Sequence, residues 1–224
     1  QKDIGQVVVL GLTLLFMLIF AGSSFKFFIT ILGAIFSAVV VFILTAEHRI
    51  ARIKSWWALA QNSVLEILPS SIAEKLRVPV EVEPYQIGHS LNAIHNGGLF
   101  GVGLGNGTFK LGFLSEVHTD FILAGLAEEF GFFGVLFVVS IFLWMLQRIF
   151  KIANRSRNTT IYLFSIGIGL MLAFSFMVNS YGISGITPIK GLSVPFLSYG
   201  GSAMLGAAMG IGMVLMASKK ANMD

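Results

Sequence analysis

Five stretches of the chain run without a charged side chain: Ile4 to Gly22, Phe27 to Ala46, Phe130 to Gln147 with an upstream extension toward Thr119, Ile161 to Val178, and Leu197 to Ala217. Each is close to the ~20 residues that a helix rising 1.5 Å per residue needs to cross the hydrocarbon of a bilayer. All five prolines (Pro69, Pro79, Pro84, Pro188 and Pro195) fall between these runs, where a missing N–H breaks no helical ladder. The pattern predicts an all-α, polytopic membrane fold of five transmembrane helices with a long exterior loop bearing short amphipathic helices. With 55% hydrophobic and 12% charged residues among 224, about half the charge of a soluble domain, the chain is a poor fit to a water-soluble enzyme. Its net charge of +4 comes from bases that flank apolar runs, so no nucleic-acid partner is expected. Zero Cys excludes disulfides and thiolate metal sites.

One membrane domain over residues 1–224 accounts for the whole pattern: two spans in 4–46, an exterior loop over 47–118, and three spans in 119–224. Alternating sides puts Lys26, Arg148, Lys151, Arg155, Arg157, Lys219 and Lys220 on one face against Asp224 alone, and the positive-inside rule makes that face cytoplasmic. The abrupt start at residue 1 suggests a piece of a longer protein. Within the loop, Ile50, Ile53, Trp56, Trp57, Ala60 and Val64 recur at helical spacing among Arg49, Arg52 and Lys54. Such a helix either lies at the membrane surface or packs onto protein. Gly206 and Gly210, with Ala203 and Ala207, form a small-residue seam for close helix packing.

The Gly101-Val-Gly-Leu-Gly-Asn-Gly run lacks the strand, helix and Lys-Ser/Thr context of a phosphate loop, and a tight turn explains it better. Leu114-Ser-Glu-Val-His-Thr-Asp120 is the most informative stretch, since it places two acids and an imidazole just before a span. Helix capping by Ser115 or Thr119, chemistry by Asp120, and a divalent-cation site on Glu116, His118 and Asp120 all remain open from spacing alone. Glu128 and Glu129 follow within the hydrophobic run, where an ionised acid costs on the order of 3 kcal/mol unless it faces the bundle or a wet cavity. Lys190 is the only charge between Arg157 and Lys219. A carboxylate that takes a proton and a lysine that neutralises phosphate suit attack by a hydroxyl on a lipid-linked pyrophosphate. The same residues could line a transport path.

In ordered blocks the sequence resembles the SEDS (shape, elongation, division and sporulation) family of peptidoglycan glycosyltransferases. Gln1-Lys-Asp-Ile-Gly-Gln6 resembles the family's Q-P-D-x-G opening, and Tyr85 to Gly105 its Y-Q to G-x-G-L-G loop. Glu116-Val-His-Thr-Asp-Phe-Ile122 resembles E-x-H-T-D-F-I, Glu128-Glu129-Phe-Gly131 resembles E-E-L-G, and Pro195-Phe-Leu-Ser-Tyr-Gly-Gly-Ser202 resembles P-F-x-S-Y-G-G-S. Pro188-Ile-Lys-Gly-Leu192 is similar to the P-T-K-G-L of the division branch. Lys2, Ala51, His89 and Ser115 depart from the usual residues, and the stretch from Ala58 to Pro84 is longer than usual.

The resemblance implies the C-terminal half of a ten-span fold that polymerises lipid II into glycan strands at the outer face of the cytoplasmic membrane during septal wall synthesis. Lipid II flipping, or a non-catalytic division scaffold, are the alternatives. By motif, Asp120 is the implied catalytic carboxylate, and Glu116, His118, Thr119, Lys190, Ser198 and Tyr199 are the implied substrate-binding residues. The implied partners are lipid II, a class B penicillin-binding protein, other division proteins and membrane lipids. No cofactor is implied with certainty beyond a divalent cation as an option, and the fragment alone is expected to be inactive.

Overall fold

The computed structural model describes residues 4–45, 50, 53–54, 56–58, 61, 85–109, 114, 117–188 and 191–221. Among these, all regular structure is helical: α1 (Ile4–Phe20), α2 (Phe25–Leu44), α3 (Tyr85–Gly97), α4 (Ile122–Arg155), α5 (Thr159–Ile183) and α6 (Gly201–Ala221). Each of the five apolar runs thus contains a helix. By length and composition α4, α5 and α6 are long enough to cross a membrane, and α1 and α2 carry the shorter apolar stretches Gly5–Phe20 and Phe25–Val41.

Helix α5 is apolar all round and sits at the centre, packed on α1, α3, α4 and α6, as expected for a helix without a polar face. Asn158 starts it: its side-chain oxygen accepts the N–H groups of Thr160 at 2.9 Å and Ile161 at 3.4 Å, satisfying two of the orphan donors of the first turn. The preceding short turn makes α4 and α5 antiparallel neighbours. Phe142, Leu146 and Ile149 of α4 meet Leu172 of α5 and Ala207 and Val214 of α6 in one core cluster. There the Phe142 and Phe176 rings stack with centroids 4.4 Å apart. The small-residue seam of α6 is real but shifted: Ala207 and Gly210 face inward, with Ile168 against Gly210, whereas Gly206 has open space around it. The outward faces of α4 and α6 expose Phe137, Leu143, Leu205 and Met216, an arrangement suited to a hydrocarbon solvent.

Helix α4 starts at Ile122, within the upstream extension expected for its span, and departs from expectation by breaking inside the run. At Gly131 the backbone turns to φ 68° and ψ −166°. The amide hydrogens of Phe132 and Phe133, which an unbroken helix would direct to Glu128 and Glu129, bond instead to the carbonyls of Gly98 at 2.9 Å and Leu99 at 3.2 Å. The carbonyls released at Glu128 and Glu129 accept the N–H groups of Val102 at 3.0 Å and Gly103 at 3.1 Å. Residues 98–103 therefore replace two rungs of the helix with four bonds of their own, which lets a helix break stay satisfied among apolar neighbours. A Cβ on Gly101 would strike the Glu129 carbonyl, and one on Gly131 would strike the backbone of Gly101. The glycine-rich run is thus the tight turn expected of it, made necessary by close backbone approach.

Last, the final helix starts at Gly201, not Leu197. Pro195 and the segment after it form a turn in which Phe196 adopts φ 64°, a left-handed conformation that costs a bulky residue about 1–2 kcal/mol.

Candidate active site

Residues 117–121 form a turn before α4. Val117 and Phe121 are buried in a cluster with Ala93 of α3, Leu123 and Ala124 of α4, Ile183 of α5 and Val194. These two apolar anchors pin both ends of the turn, so the three polar residues between them stay at its surface: His118 is exposed, and Thr119 and Asp120 are half-buried. The segment is neither helix nor strand. Thr119 does not cap α4, because the N-cap position is Phe121 and no side chain bonds there. The expected cap is a turn held from outside instead.

What holds it is the last turn of α5 and the chain between α5 and α6. Three successive carbonyls of the turn each receive a donor from that side. The Tyr199 N–H donates to the His118 carbonyl at 2.7 Å. The Ser198 hydroxyl donates to the Thr119 carbonyl at 2.5 Å. The Asn179 amide donates to the Asp120 carbonyl at 2.7 Å. Ser198, only 3% exposed, also accepts the Val194 N–H at 2.7 Å, closing the loop around the left-handed Phe196. With these bonds made, the Asp120 carboxylate lies against the α5–α6 loop: a Cβ placed on Gly191 would sit 3.0 Å from its Oδ2. Gly191 directly follows Lys190 in the sequence.

The structure thereby separates the residues implied for the site. Asp120, His118, Thr119 and Tyr199 come together at one surface, with the Tyr199 side chain 85% exposed. Ser198 joins them through the backbone, with its hydroxyl engaged in internal bonds. Glu116 and Lys190 lie outside the described residues, as does Ser115. Among the described residues no three His, Asp or Glu side chains gather as a metal site would require.

Glu128 has a different role from a lone intramembrane acid. It is 1% exposed, and its Oε1 accepts the Thr108 N–H at 2.7 Å, the Thr108 hydroxyl at 3.1 Å and the Asn96 amide at 3.1 Å. The Phe109 N–H is shared between its two oxygens at 3.3 Å each. A carboxylate is acceptor-only, and this one is surrounded by donors from α3 and the glycine-rich segment. It locks that segment to the broken helix. Trp56 gives the loop helix a similar anchor, donating its indole N–H to the Gly185 carbonyl at 2.7 Å; residues 50, 53, 54, 56–58 and 61 are helical, and this contact is one with protein.

Sequence reasoning missed Asn179. The apolar run ends at Val178, whereas α5 continues to Ile183. The available signal was an amide inside a membrane-length helix, a residue type that marks internal polar contacts when hydrocarbon surrounds it.

Fold and site together define a multi-pass helical membrane protein with a carboxylate held at the start of a broken span. The family model described as "Cell cycle protein", covering the FtsW, RodA and SpoVE proteins, matches residues 1–223, and the chain belongs to this family. Among curated relatives, it is 49% identical over 215 residues to proteins of two Helicobacter pylori strains, each named "Probable peptidoglycan glycosyltransferase FtsW". The alignment covers 96% of this chain and 55% of each relative, so the chain spans about half their length. Among solved structures, a chain reported under "Structural coordination of polymerization and crosslinking by a peptidoglycan synthase complex" shares the fold with a TM-score of 0.58 and 24% identity, covering 100% of this chain and 58% of that one.

Proposed function

We propose that this chain forms part of a glycosyltransferase that polymerises lipid II, with Asp120 as the general base. The observation that carries the reading is the placement of Asp120. Its backbone is tied to the α5–α6 loop through Asn179, while its half-buried carboxylate faces Gly191, the neighbour of Lys190. In the proposed step an acceptor sugar hydroxyl attacks the anomeric carbon of the donor. The bond from that carbon to the lipid pyrophosphate breaks, and the hydroxyl proton passes to Asp120. Lys190 supplies positive charge to the departing pyrophosphate, and His118, Thr119 and Tyr199 border the entering saccharide. Glu116 and Ser198 complete the set, Ser198 through the backbone it fixes. Support comes from the FtsW name of the relatives above and from the ordered motif blocks.

By the charge asymmetry of its short connections, the chain sits in the cytoplasmic membrane with the Asp120 turn outside. In the cell it acts at the division septum beside a class B penicillin-binding protein that cross-links the strands. The test uses the full-length protein reconstituted with that partner and labelled lipid II. Asp120→Asn is expected to abolish strand formation while the protein still folds; polymerisation at the parental rate would overturn the assignment.

A further inference from the structure

Asn179 is 3% exposed in the last turns of α5. Its Nδ2 donates twice, at 2.7 Å to the Asp120 carbonyl and at 2.6 Å to the Leu192 carbonyl. An amide nitrogen carries two hydrogens, and here one goes to the turn that bears the carboxylate and the other to the loop that the carboxylate faces. One rigid planar group on a central helix therefore sets the spacing of the two backbones. The Asp120 Oδ2 approach to Gly191 is made across that bridge, since Gly191 precedes the bonded Leu192.

The other half of the amide shows what the position is for. Asn179 Oδ1 is buried and has no hydrogen-bond partner. A buried acceptor left unpaired is unfavourable, and an apolar side chain of similar volume would avoid it. What the amide contributes is the two bonds it donates. Those bonds do not cap a helix or seal a ladder; both end on the segments that form the candidate site.

We propose that Asn179 is a positioning residue for the reaction, holding the Asp120 turn and the 191–192 backbone at the separation at which the carboxylate works, without touching substrate. The inference rests on the glycosyltransferase reading above. Small displacements of a reacting group lower the chemical step by factors of up to about 100 without weakening binding, so the signature is a split between kcat and KM.

The experiment uses the full-length protein with its cross-linking partner and labelled lipid II, comparing parent, Asn179→Asp, Asn179→Leu and Asp120→Asn at equal amounts of folded protein. Asn179→Asp keeps the size but loses the double donor, and is expected to lower kcat at least tenfold with KM for lipid II within about twofold. Asn179→Leu is expected to do the same. If it does not accumulate, Asn179→Ser, which leaves room and donates one bond, takes its place and is expected to fall between parent and Asn179→Asp. Parental kcat per folded molecule in the Asn179 variants, with Asp120→Asn inactive, would overturn the positioning role alone. Parental activity in Asp120→Asn would overturn the glycosyltransferase reading and the inference with it.

Discussion

The Glu128 carboxylate and the Thr108 backbone N–H lie 2.7 Å apart although 20 residues separate them in the chain. That bond joins the broken helix α4 to the glycine-rich segment beside it, and the segment in turn supplies the hydrogen bonds the break removed. Glu128 therefore holds the shape of the span that begins just after Asp120.

Glu128→Ala removes the one buried acceptor that gathers the exposed Asn96 and Thr108 donors and the half-buried Phe109 N–H. The expected loss is about 1–2 kcal/mol of stability, read as a drop in the thermal midpoint in detergent. Glu128→Gln retains one acceptor oxygen and is expected to lose less. A midpoint equal to the parent in Glu128→Ala would show that the cluster contributes nothing.

Gly131→Ala forces a Cβ onto a residue at φ 68° and into the backbone of Gly101. The combined strain and collision are expected to cost about 2 kcal/mol or more. Fluorescence-detected size exclusion of a tagged full-length protein should show a reduced monodisperse fraction, and Gly101→Ala should behave alike because its Cβ would strike the Glu129 carbonyl from a residue that also has positive φ.

Ser198 and Tyr199 are neighbours with opposite roles, and their alanine variants should differ accordingly. Ser198→Ala removes the buried hydroxyl that donates to the half-buried Thr119 carbonyl and accepts the buried Val194 N–H, and is expected to destabilise by about 2 kcal/mol. Tyr199→Ala keeps the backbone bond to His118 and removes an exposed ring, so its stability should stay within about 0.5 kcal/mol of the parent while polymerisation of lipid II falls. Equal melting points for the two variants would contradict this division.

Trp56→Phe keeps the ring bulk but removes the indole donor to Gly185. The turn at residues 184–188 is expected to open more often, seen as faster amide exchange at Thr187, whose N–H bonds the Tyr181 carbonyl at 3.1 Å. Exchange at Asn158-capped residues such as Thr160, at the far end of α5, serves as the control and should not change.

Much of the helix plan is visible in the sequence because hydrophobicity and charge act locally: a run such as Ile161 to Val178 is a helix wherever it packs, and proline marks where it cannot continue. The ends were less legible. α5 goes on through Asn179, and α6 waits until Gly201, because partners distant in the chain decide whether a polar residue or a left-handed phenylalanine is stabilised. Likewise the sequence places Glu128 toward the bundle or a wet cavity without saying what it meets there; the donors of Asn96, Thr108 and Phe109 come around it only in the folded chain.

The sequence by itself determined that this chain builds apolar helices, and its motif blocks singled out Asp120. Only the tertiary structure decided that the Asp120 turn is neither helix nor strand, that two of its carbonyls are held by the α5–α6 loop, and that Asn179 of α5 holds the third and bridges the turn to that loop. The reason is physical: burial pattern is written in neighbouring residues, whereas the direction of a buried hydrogen bond depends on groups that meet only after the helices have packed.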